Sequence, residues 1–124
     1  MPEQVLIHNL TSPDTPPVQA RYCSSFCCRL RGLTFRRSLP SREGLLLVQG
    51  RDSRVDSSIH MLFVWFDLAV VWINNAQQVV DIRLARSWRP AYAPARPARY
   101  VLEISPERLG DFNVGDQLQF ETTL

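Results

Sequence analysis

With 124 residues the chain has room for one domain, expected over 1–124, that buries about two-thirds of its unfolded surface. A hydrophobic content of 45% beside 21% charged residues excludes a largely disordered chain. The net charge of +2 rests on 14 basic residues, all arginine and spread from Arg21 to Arg108, so the concentrated basic face of a nucleic-acid binder is missing.

In chain order, Val5, Leu6 and Ile7 predict a short strand over Gln4 to Asn9. Pro13, Pro16 and Pro17 make Thr11 to Pro17 a loop, because proline lacks the donor that a central ladder needs. Val18 to Cys23 reads as a second strand. A helix follows from about Ser25 to Arg31, with Ser24 or Ser25 as cap, Phe26, Leu30 and Leu33 on one face, and Gly32 as the stop. Gly44 opens a strand through Val48, and Gly50 to Ser57 is polar enough for an exposed turn. The apolar runs Ile59 to Trp65 and Leu68 to Ile73 read as two buried strands joined near Asp67.

Asn74 to Gln77 is a hairpin turn, where asparagine tolerates positive φ. Gln78 to Leu84 then alternates, with Val80, Ile82 and Leu84 on one face. Arg86 to Pro97 carries Pro90, Pro94 and Pro97 and reads as a semi-rigid surface loop. Arg99 to Ile104 alternates again with Tyr100, Leu102 and Ile104 inward. Ser105-Pro106 starts a short helical turn. Gly115-Asp116 turns into a last strand, Gln117 to Glu121. The pattern predicts a mainly β fold: a compact antiparallel β barrel or sandwich of six to eight short strands with one short α-helix.

Cys23, Cys27 and Cys28 crowd one short stretch, an odd count with two adjacent members that does not form a disulfide framework. They are expected to be reduced, buried thiols that bind no metal, and neither His8 nor His60 is spaced to complete a zinc site. That usage suits a reducing compartment. The start Met1-Pro2-Glu3-Gln4 has no basic-then-apolar signal, and the longest apolar run, broken by His60 and Asp67, is shorter than the ~20 residues of a membrane span. A soluble, cytoplasmic protein without cofactor is the expectation.

Several short motifs recur in a specific order: Arg29-Leu30-Arg31-Gly32-Leu33, Leu39-Pro40, Glu43-Gly44-Leu45, Ser58-Ile59-His60, Val70-Val71, Val101-Leu102-Glu103 and Val114-Gly115-Asp116. Together they resemble the prokaryotic family known as domain of unknown function 192, over about Ala20 to Phe120. The resemblance implies a compact β-rich barrel or sandwich with a short helix, and no activity or ligand. Relatives carry a Phe-Met-x-Phe-Pro-Ile-Asp run after the Ser-Ile-His motif. Here Val64 replaces the methionine, Asp67 the proline and Ala69 the acid.

Candidate chemistry is sparse. His60, Asp67 and Glu103 are the residue types that handle protons, but His60 and Asp67 would stand ~23 Å apart in one straight strand. Arg29 is read as a structural partner of Glu43 or Glu103. If the acid that relatives carry at 69 has a role, Asp67 is the residue placed to compensate, because residues two apart share a strand face. Trp65 and Trp72 fall in strands and are expected to pack the core. Trp88 and Tyr92, with Arg86 and Arg89, lie in the proline-rich loop and form the candidate binding surface. The leading reading is a non-catalytic binding or interaction module contacting an unknown protein or small ligand. The alternatives are an enzyme using His60, Asp67 and Glu103, and a degenerate scaffold that lost the family's acidic site.

Overall fold

The computed structural model describes residues 4–25, 28, 39–61, 64–89 and 91–123. Seven strands form one sheet: β1 (Gln4–Asn9), β2 (Val18–Cys23), β3 (Glu43–Ser53), β4 (Leu68–Ile73), β5 (Val79–Ala85), β6 (Ala98–Ile104) and β7 (Leu118–Thr123). Their order across the sheet is β5-β4-β6-β3-β2-β1-β7. The mainly β expectation holds, with two refinements. β2 and β3 run parallel, while the other neighbours are antiparallel. A parallel pair needs a crossover connection, and residues 24–42 make it. The sheet also stops short of closing as a barrel. Its edge strands approach through an isolated bridge between Gln78 and Gln117, with Val79 N donating to Asp116 O at 2.9 Å.

Both faces are covered, which is why β4 is buried along its whole length. One core gathers Val5, Ile7, Leu46, Val71, Tyr100, Leu102 and Ile104. The second gathers Leu45, Leu47, Met61, Val64, Val70, Trp72 and Val101. β6 thus sends Tyr100, Leu102 and Ile104 inward as its alternation predicts, and its intervening residues are buried too. Gly44 sits where β3 is squeezed. A Cβ there would lie 2.9 Å from Ile104 Cγ2 and 3.0 Å from Val18 Cγ1.

The β4–β5 hairpin forms at the predicted place. Asn74 Oδ1 accepts from the backbone nitrogens of Ala76 and Gln78, each at 3.0 Å. The positive φ, however, falls on Gln77 at 63° and not on an asparagine. β3 runs on to Ser53, so the turn expected from Gly50 starts at Arg54. The described residues of the predicted strand from Ile59 to Trp65 form no strand. Among its described residues there is one bridge, between Ile59 and Tyr92. A 3-10 helix (Pro106–Asp111) begins after Ser105 as expected.

Phe26, Leu30, Leu33 and Arg29, which carry the predicted helix, lie outside the described residues. Cys28 is helical, and its backbone nitrogen donates to Ser25 Oγ at 3.1 Å, the bond of an N-cap serine. The cysteine expectation needs correction: Cys23 and Cys28 form a disulfide. Five positions separate them, and the second sulfur reaches the end of β2, a geometry that residue counting does not reveal. A disulfide does not suit the reducing compartment expected from free thiols. Among the described residues no helix is long and apolar enough to cross a membrane.

Candidate functional site

The three tryptophans take different roles. Trp72 is fully buried, its indole nitrogen donating to Ser57 O at 2.8 Å, so the ring is both packed and satisfied. Trp65 overturns the core expectation and is 58% exposed. The chain breaks between Val64 and Leu68, both buried, and the ring falls on the outward side of that break. Trp88 is 41% exposed. The two exposed indoles meet edge to face, with ring centroids 5.0 Å apart and planes at 78°.

Backbone hydrogen bonds hold this pair on a firm frame. Met61 N donates to Arg89 O and Trp88 N to Met61 O, both at 2.8 Å. Ile59 and Tyr92 exchange two bonds of 2.9 Å. The Tyr92 hydroxyl accepts from Arg86 N at 2.8 Å, so this residue of the predicted binding loop is a strut and not a contact surface. Trp88 has φ of 65°, a conformation costing a non-glycine residue about 1–2 kcal/mol. The bonds on either side of it fix that conformation. The far arm of the loop is tied as well, by Ala95 N to Asp81 Oδ2 at 2.8 Å and Arg54 Nε to Pro94 O at 3.0 Å.

Arg86 and Arg89, two residues before and one after Trp88, are exposed, and so is His60. Half-buried Asp67 accepts from Ser87 N at 2.8 Å and from Arg86 Nη1 at 3.5 Å, tying the start of β4 to the exit of β5. The structure therefore joins Asp67 to the aromatic loop. Ala69, where relatives carry an acid, is buried in the first core.

Glu103 stands elsewhere. It is 4% exposed, and its strand neighbours are Leu45 on β3 and Val70 on β4. Its Oε1 has no hydrogen-bond partner among the described residues. Burial pushes the carboxyl up to about 7, because an apolar surrounding disfavours the charged form. Such an acid holds a proton near neutrality, yet the groups across from it in the sheet are apolar. Exposed His60 and buried Glu103 do not share one surface. Among the described residues no group of three or more His, Cys, Asp or Glu comes together to hold a metal ion.

Sequence reasoning missed Trp65 as a surface residue and Arg108 as a structural one. The first had a signal: the charge of Asp67 interrupts the apolar run just before β4 and leaves Trp65 outside that strand. Arg108 had a weaker one, its spacing from Asp111 on a helix begun by Pro106.

The family described as an uncharacterized ACR, domain of unknown function 192, matches residues 8–120, a longer span than the motifs alone delimit. A UPF0127 protein of Pyrococcus furiosus is 31% identical over 115 residues, covering 90% of this chain and 95% of its own length. A UPF0127 protein of Thermococcus gammatolerans is 35% identical over 101 residues, covering 80% of this chain and 64% of its own length. A crystal structure of a protein of unknown function from Novosphingobium aromaticivorans shares the fold with a TM-score of 0.79 at 20% identity, over 94% of this chain and 83% of the other. The ordered motifs, the seven-stranded sheet and these matches agree, and the chain belongs to the domain of unknown function 192 family.

Proposed function

We propose that this chain is a non-catalytic binding module whose contact surface is the Trp65–Trp88 pair and the loop that carries Trp88. One observation carries this reading: two large aromatic rings stay exposed while backbone bonds from both sides fix the conformation of one of them. Tryptophan and arginine dominate interface energies, and a rigid surface loses little entropy on binding. Leu10, Val55 and Val114 are exposed too, but single apolar residues are ordinary on a surface. An enzymatic reading has less support, since Glu103, the acid with the shifted proton affinity, lies apart from exposed His60.

The test compares immobilised wild-type protein with a Trp65→Ala/Trp88→Ala variant for capture of partners from a native lysate. Exposed side chains are replaced, so the melting midpoint should barely move. A partner retained by the wild type should be lost from the variant by a factor of roughly 30 or more, the scale of a hot spot. Equal recovery on both proteins would overturn the reading.

A further inference from the structure

We infer that the occupant of the Trp65–Trp88 surface is an acidic polypeptide segment with an apolar anchor. This rests on the reading of that surface as the contact site and goes beyond it by assigning the partner's chemistry. The first observation is shape. Two planes at 78° enclose a corner, whereas stacking of bases calls for an open flat ring face. A corner suits a compact aliphatic or proline side chain that touches both rings.

The second observation is charge. Arg86 and Arg89 flank Trp88 in the chain and are exposed, and the Arg86 side chain keeps 64% of its surface despite its contact with Asp67. Asp67 itself is occupied by Ser87 N and Arg86. The rim thus presents arginine forks, the geometry that receives carboxylates two oxygens at a time. Complementary charge favours Asp and Glu flanking the anchor.

A nucleic acid would answer to the same charge, but the surface fits it less well. Nucleic-acid binders commonly neutralise about 6–10 phosphates. The chain beside Trp88 offers two arginines, Arg86 and Arg89, on a protein whose net charge is only +2.

The experiment pans a random decapeptide library on three proteins: wild type, Trp65→Ala/Trp88→Ala, and Arg86→Gln/Arg89→Gln. A fluorescent mixed-sequence single-stranded oligonucleotide serves as the competing probe. The wild type should enrich peptides with Asp or Glu beside an apolar residue. The tryptophan variant should enrich none of them. The arginine variant should keep the apolar anchor and lose the acidic bias. A selected peptide should weaken several-fold between about 50 and about 500 mM salt, as screened charges do. Enrichment of neutral or basic peptides, or tighter binding of the oligonucleotide, overturns the acidic-peptide assignment while leaving the contact surface intact. Enrichment that does not differ between the wild type and the tryptophan variant overturns the surface itself.

Discussion

A carboxyl buried in an apolar core makes stability depend on pH, and Glu103 fixes the sign. Its acidity in the folded chain corresponds to about 7, against 4.5 as the ordinary value. Below the ordinary value both states are protonated and nothing is lost. Between the two the unfolded chain ionises first, so stability falls as pH rises, and the loss is complete above about 7. The full loss is about 3 kcal/mol, from 1.36 kcal/mol per pH unit. Arg21 and Arg83 flank this row two strands away on either side, and their charges leave the sign unaltered. Glu103→Gln keeps the shape and removes the ionisation. Urea melts at pH 8 should show the variant more stable by up to about 3 kcal/mol, with the gap closing toward pH 4. An equal gap at both pH values would mean that folding leaves the proton affinity of the carboxyl unchanged.

Strand identity was legible where one residue pattern had one solution. β1, β2, β4, β5, β6 and β7 form where predicted to within a residue or two, and so does the 3-10 helix after Ser105. The predicted face of β5 does not hold, because a register shift opposite Trp72 and Ile73 puts Val80 against the second core while Ile82 packs on the first. Ile59 to Trp65 failed because a short apolar run does not reveal whether its backbone has a ladder partner. The same ambiguity hid the exposed Trp65, whereas Trp88 and its arginines were legible from the prolines around them. The Cys23–Cys28 bridge was illegible for a different reason, since it depends on where the chain after β2 carries Cys28. Alkylation of the denatured, unreduced protein should therefore find one free thiol and not three. Reduction should lower stability by about 2 kcal/mol, the loop-closure entropy of so short a ring. Three thiols would remove the bridge. Gly44 tests the contact between β3 and its neighbours: with Ile104 Cγ2 at 2.9 Å and Glu103 O at 3.1 Å from a new Cβ, Gly44→Ala should cost about 1–3 kcal/mol. A neutral effect would show that the strands can separate there.

At the scale of the molecule, segments far apart in sequence must be tied to one another, and Arg108 is placed to do so. The residue is 5% exposed on the 3-10 helix. Its Nε donates to Asp111 Oδ2 at 2.8 Å, its Nη1 to Ser41 O at 3.3 Å, and its Nη2 to Pro16 O. Those acceptors belong to the helix itself, to the chain entering β3 and to the loop between β1 and β2. One planar fork thus joins three segments far apart in sequence. Asn9 braces the neighbouring loop: its Nδ2 donates to Asp116 Oδ2 at 2.8 Å, just beyond the turn at Gly115. Replacing Arg108 with methionine fills much of the space but leaves two carbonyls and a carboxylate without their donor. The loss should be on the order of 2–4 kcal/mol, with the larger part from the unpaired carbonyls because Asp111 is partly exposed. For a domain of this size that lowers the melting midpoint by roughly 10 °C. Arg108→Lys keeps the charge but offers one compact donor group in place of a fork, so it should recover only part of the loss. Calorimetry of the two variants decides between roles. Full recovery by lysine would mean that the charge matters and the fork does not. No loss in either would mean that the 3-10 helix is held by Phe112 and Leu109 packing on the first core, with the arginine along for the ride.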